Sequence, residues 1–157
     1  MEKTDIILRE LDQDEINKRY PFTHFGWEGN SAFSFMTISE GYWKSANVLC
    51  EYMLANKDDF AVVDSLNYPL FFNYRHSIET YLKALFFEYG EQTNEARRKF
   101  LEIGHDLNTL WNTLRKSLSP IKKRVGCSVK FDAVEHYIAA INDFDSNSMV
   151  MRNLSNQ

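Results

Sequence analysis

Four ionisable side chains cluster in one part of a largely apolar run of this chain. In PLFFNYRHSIETYLKALFFEY, residues 69–89, Arg75, His76, Glu79 and Lys83 stand among Phe, Leu, Ile and Tyr. Read as a helix, the run places Phe71, Arg75, Ile78, Leu82, Leu85 and Tyr89 on one stripe by alternating steps of four and three. Arg75 is then the one charged member, turned toward the interior. A buried guanidinium needs carboxylates, carbonyls or an anionic ligand, because an unpaired charge is too costly to bury. Glu79, at i+4 on the adjoining edge, is sterically a partner. That edge reads Phe72, His76, Glu79, Lys83, Phe86, a titratable row between two rings. Two readings follow: plain structural pairing, or a polar pocket that recognises or processes a phosphate-bearing ligand. In the second, Arg75 binds phosphate, His76 is an acid–base candidate, and Glu79 and Lys83 orient and bind.

His105-Asp106 is the next chemical signal, just after Gly104. Asp106 suits an N-cap, and His105 beside the partly positive helix terminus is less prone to protonate. The plain reading is a capping turn; the sharper one makes His105 a neutral base facing the Arg75 helix, with Asp106 bracing it. His24 and His136 are isolated. No HExxH, CxxC, P-loop, GxGxxG or GxSxG occurs, so no metal and no cofactor is expected. Cys50 and Cys127 make no disulfide framework and read as reduced thiols.

The elements that must position these residues are helical. Asn30 or Ser31 caps a first helix to about Asn56, with Phe35, Ser39, Tyr42, Ala46, Leu49 and Met53 on its apolar stripe. The segment AVVDSLNY (61–68) reads as a connection, and Pro69 as the first turn of the second helix, which Gly90 stops. A short helix is expected over Asn94–Ile103. Another runs from Asp106 to Leu118 and ends at Ser119-Pro120; a basic loop and a helix within Ser128–Phe144 follow. Nothing alternates with period two. The expectation is one all-α domain over residues 1–157, an antiparallel bundle of four main helices with short additions. Residues 1–30 form an irregular aromatic-rich arm and 145–157 a tail.

Three stretches resemble the HEPN family of small helical bundles: YPLFFNYRHSIETYLKALF (68–86), GHDLNTLW (104–111) and DSNSMVMR (145–152). The first is similar to the family's Tyr-Arg-His-x-x-Glu-x-x-Leu-Lys helix, the second to its Gly-His-Asp-Leu helix start, the third to an Asp-x-x-Ser-x-x-x-Arg element. The resemblance implies a helical homodimer linked to RNA cleavage, RNA or nucleotide binding, toxin–antitoxin pairs and phage defence. An antitoxin is then a candidate protein partner. It adds Arg152 to Arg75 as a phosphate-binding candidate. Active members of the family are metal-independent ribonucleases with an Arg, four to six residues, then a His. Here Arg98 and His105 have that spacing with Gly104 between them, and after Arg152 and four intervening residues stands Gln157 rather than His.

Composition bounds the rest. The 157 residues carry a formal charge of −4, 44% hydrophobic and 15% aromatic residues, with 6 Gly and 3 Pro. That is enough chain for one core of its own and too many aromatics for a disordered polymer. Residues 1–96 balance to −8, 97–130 to +7 and 131–157 to −3. An acidic total argues against a sequence-reading DNA binder, while the basic stretch fits a phosphate backbone or an acidic partner. No run approaches a membrane span and the acidic start lacks a signal pattern, so a cytoplasmic protein is expected. The leading expectation is therefore a HEPN-type, RNA- or phosphate-engaging domain of a bacterial stress or defence system, a metal-independent endoribonuclease if active. The alternative is a non-catalytic dimeric protein-interaction module.

Overall fold

The computed structural model describes residues 31–126 and 128–144, and among these every regular element is a helix. Helix α1 spans Ala32–Ala55, α2 Phe60–Tyr89, α3 Asn94–Glu102, α4 Leu107–Val125 and α5 Phe131–Phe144. Their starts are written in the sequence. Ser31, rather than Asn30, caps α1, its Oγ accepting from the Ser34 amide at 3.1 Å. Asp59 caps α2 through the Ala61 and Val62 amides, Thr93 caps α3, and Asp106 caps α4. Each satisfies donors that a helix start leaves open.

Two expected boundaries are overturned, both at proline. Helix α2 does not begin at Pro69: it starts at Phe60, so the supposed connection 61–68 is helical and Pro69 lies inside. Proline removes one bond to the carbonyl four residues back. That carbonyl belongs to Ser65, and both residues are exposed, so water can take the bond's place. Likewise α4 does not stop at Pro120 but continues to Val125, where Gly126 closes it in the left-handed region, at φ 64°. The expected basic loop is thus partly helix. Lys122, Lys123 and Arg124 form the last turn of α4, where cations oppose the carbonyl end of the helix dipole. Gly90 ends α2 for a different reason from a left-handed turn: a Cβ there would stand 2.5 Å from the Phe86 carbonyl.

The first two helices run antiparallel along one seam. Phe35 meets Phe87, Ser39 Oγ donates to the Ser77 carbonyl at 2.8 Å, and Tyr74 donates to Asn47 at 2.7 Å. Falling numbers on one helix pair with rising numbers on the other. The core lies at the other side of α2, where Leu82, Phe86 and Phe87 pack with Phe100 of α3, Leu107, Leu110, Trp111 and Leu114 of α4, and Ile138 of α5. The inward stripe of α2 therefore holds in its middle only. Phe71 and Tyr89, the first and last members of that stripe, are 37% and 47% exposed. Arg115 ties α4 to α5 through Asp132 and Glu135, while Lys122 stands over the Phe131 ring. Among the described residues no helix is long and apolar enough to cross a membrane. The expected arm at 1–30 and the tail at 145–157 lie outside the described residues.

Candidate functional site

Residues 75, 76, 79 and 83 project from one side of α2 toward the 104–106 turn that joins α3 to α4. Gly104 makes that turn possible, with φ at 73°, a region side chains avoid. Its left-handed backbone brings His105 against α2 twice over. The His105 carbonyl accepts from Arg75 Nη2 at 2.6 Å, and the His105 ring Nδ1 lies 2.9 Å from Glu79 Oε2. The start of α4 is fixed from the far side by Asn142 of α5, whose Oδ1 accepts from the buried Leu107 amide at 3.0 Å. Three helices thus set one turn.

Glu79 is the hub. It is 1% exposed, as is Arg75, whose Nη1 lies 3.4 Å from Glu79 Oε2. Lys83 Nζ donates to the other oxygen, Oε1, at 2.7 Å. His76 Nδ1 is 3.7 Å from Oε2, too far for a hydrogen bond, and is buried with no partner. Its ring is held instead by Phe72, stacked at 5.5 Å, and by the edge of Tyr42 at 4.4 Å. Burial by itself pushes the Glu79 carboxyl up. Contacts with His76, Lys83 and His105 outweigh that and hold it well below the ordinary 4.5, so it is ionised at neutral pH.

Two consequences follow for chemistry. An ionised Glu79 accepts from His105 Nδ1, so that nitrogen carries a proton and Nε2 is the ring nitrogen turned away from Glu79. The His105 side chain is 38% exposed, the most open of the group. Second, among the described residues Arg75 and Lys83 place two basic side chains against one carboxylate, Glu79.

Of the residues singled out by sequence, Arg75, His76, Glu79, Lys83 and His105 come together. Asp106 does not join them: its carboxylate is used on the Asn108 and Thr109 amides and the Thr109 hydroxyl. Arg75 is turned inward as expected, but it is committed to Glu79 and the His105 carbonyl. Arg152 lies outside the described residues. Sequence reasoning missed Asn142, a buried polar residue one helical step from Ile141 and Ile138; a lone Asn on an apolar helix face is the signal for such a clamp. His136 is exposed and remote in role, its neighbour Glu135 being taken by Arg115. Cys50 is a free thiol. No group of three or more His, Cys, Asp or Glu able to hold a metal ion occurs among the described residues. Comparison with family models, curated proteins and solved structures gives no match.

Proposed function

We propose that this chain is a HEPN-type domain that engages RNA or another phosphate-bearing ligand, as part of a bacterial stress or defence system. The observation that carries the reading is His105, oriented by buried Glu79, its second ring nitrogen without a partner among the described residues, beside the basic side chains of Arg75 and Lys83. Phosphodiester cleavage without a metal asks for those two things: a group that moves a proton between the ribose 2′-hydroxyl and the 5′-oxygen, and cations that face the phosphorane. His105 supplies the first. Lys83 supplies charge at the rim, while Arg75 and Glu79 position rather than touch. The finer parts of this reading are an antiparallel four-helix bundle of the HEPN type, a homodimer, and Arg152 joining the phosphate site from the tail.

One observation favours a second reading, a non-catalytic dimeric interaction module. Arg75 and Glu79 satisfy each other and the 104–106 turn, as a purely structural network does, and the Arg98–His105 pair is parted by the Gly104 turn between α3 and α4.

Incubation with total RNA in EDTA, read by gel, together with electrophoretic retention of the same RNA, separates the two. Because Arg75 bonds the His105 carbonyl and not its ring, His105→Ala keeps that contact. The expected result is cleavage or retention in the wild type and loss of cleavage in His105→Ala. Neither cleavage nor retention in the wild type overturns the phosphate reading and leaves the interaction module. Cleavage unchanged in His105→Ala overturns the role of His105.

A further inference from the structure

Helix α1 is more apolar than its packing explains. Its 24 residues hold three charged side chains, Glu40, Lys44 and Glu51, yet among the described residues it packs chiefly on α2 alone. A helix apolar around most of its girth is normally covered on more than one side. Here Phe33, Met36 and Trp43 of α1 are exposed, and so are Tyr81 and Tyr89 of α2. These five face one another across the seam. They line two adjoining hollows of about 400 and 390 Å³ that share Met36 and Tyr81 and so form one groove. Ser39 and Ser77, hydrogen-bonded to each other, make part of the wall of the first hollow. Exposed aromatic patches of this kind mark interaction sites.

The groove has a shape and a charge. On α2 its lining runs from Ser77 to Tyr89, which at about 1.5 Å per residue is roughly 18 Å, the length of a three-turn helix. Its charged lining residues are both acids, Glu40 and Glu88. Glu40 is bridged to Lys44, and Glu88 is exposed. Residues 32–89 as a whole hold 4 Lys+Arg against 7 Asp+Glu. The chain's own residues 1–30 hold 4 against 7 as well, and a second copy would bring the same acidic face to this one. Like charges oppose both of those occupants.

We propose that the α1–α2 groove binds a cationic amphipathic helix of another protein, its apolar anchors at i, i+3 or i+4, and i+7 seated between Trp43, Met36 and Tyr81. Basic residues flanking that stripe meet Glu40 and Glu88. This surface is independent of the Glu79 cluster, and its loss would leave the phosphate reading standing.

Calorimetric titration of the full chain with three synthetic peptides of three to four turns tests it: a Leu/Lys amphipathic helix, the same composition scrambled, and a Leu/Glu helix. The Leu/Lys peptide is expected to bind with micromolar Kd, and the other two roughly tenfold or more weaker, a difference worth about 1.4 kcal/mol. Met36→Asp, at an exposed site in the middle of the groove, is expected to remove the preference while circular dichroism stays helical. Glu88→Lys, which touches no packing, is expected to shift it toward Leu/Glu. Equal binding of the three peptides, or no change in either variant, overturns the proposal. So does self-association that Met36→Asp abolishes in light scattering, which would make a second copy the occupant. A gain in peptide affinity from Trp27→Ala would likewise overturn it in favour of the chain's own N-terminal segment.

Discussion

Replacing Glu79 with Gln keeps the shape of the hub and removes its charge, which isolates what the carboxylate does. In the folded protein its two oxygens accept from Lys83 at 2.7 Å and from His105 at 2.9 Å, with Arg75 at 3.4 Å. Gln offers one acceptor and one donor, so a donor is forced against either Lys83 or His105. Lys83 can swing to solvent; Arg75, 1% exposed, cannot, and loses its ion pair with Glu79 while keeping the His105 carbonyl at 2.6 Å. A buried charge stripped of its partner costs about 3–5 kcal/mol. For a chain of this length that is roughly 6–20 °C in Tm. Urea unfolding followed by far-UV circular dichroism at neutral pH measures it, with an unchanged m value confirming that the native state is intact. The pH dependence gives an independent sign. The folded carboxyl titrates below its ordinary value of 4.5. Its contribution is therefore complete above that pH and is lost as pH falls below it toward the folded value, so the gap between wild type and Glu79→Gln must narrow on acidification. A Glu79→Gln protein within about 0.5 kcal/mol of wild type, inside the range of ordinary surface substitutions, would refute the hub. A gap that does not change with acid would refute the titration.

Three further outcomes are expected from the same unfolding assay. Asn142→Ala leaves the Leu107 amide buried without an acceptor and is expected to cost about 1–3 kcal/mol; no loss would mean the 104–106 turn is held without α5. Pro69→Ala restores a backbone donor inside α2, and is expected to stabilise the fold by about 1 kcal/mol or more even after the unfolded chain's added freedom is subtracted. Gly90→Ala puts a methyl group 2.5 Å from the Phe86 carbonyl and against its ring, and is expected to cost about 1–3 kcal/mol.

What the sequence disclosed and what it hid divide along a physical line. Caps and periodicity are local, and they located Ser31, Asp106 and the inward face of Arg75. The two prolines misled because their effect depends on surroundings. A proline breaks a helix when the freed carbonyl cannot be hydrated; at Pro69 and Pro120 the site is exposed, and the helices run on. The partners of Arg75 were half legible. Glu79 at i+4 follows from helical geometry, but the His105 carbonyl is a backbone group thirty residues away, and no pattern of residue types announces a carbonyl. Asn142 was hidden likewise, since one amide among apolar neighbours looks like a tolerated exception until the donor it meets is seen.

The same geometry assigns different work to the ionisable residues of the cluster than their order along α2 suggests. The sequence offers Arg75 as the strongest cation and so the natural phosphate ligand. Yet depth decides availability: Arg75 and Glu79 are sealed, and a ligand would have to break two of their contacts to reach them. Lys83 and His105, nearer the surface, need give up nothing of that kind, because Lys83 has two further donor hydrogens and His105 a nitrogen with no partner among the described residues. A buried pair that fixes an accessible histidine is how a protein holds a base in one tautomer and one direction. The inner residues should therefore move stability when altered and the outer ones ligand binding. If Lys83→Ala and His105→Ala instead unfold the protein as readily as Glu79→Gln does, the cluster has no outer layer and its role is packing alone.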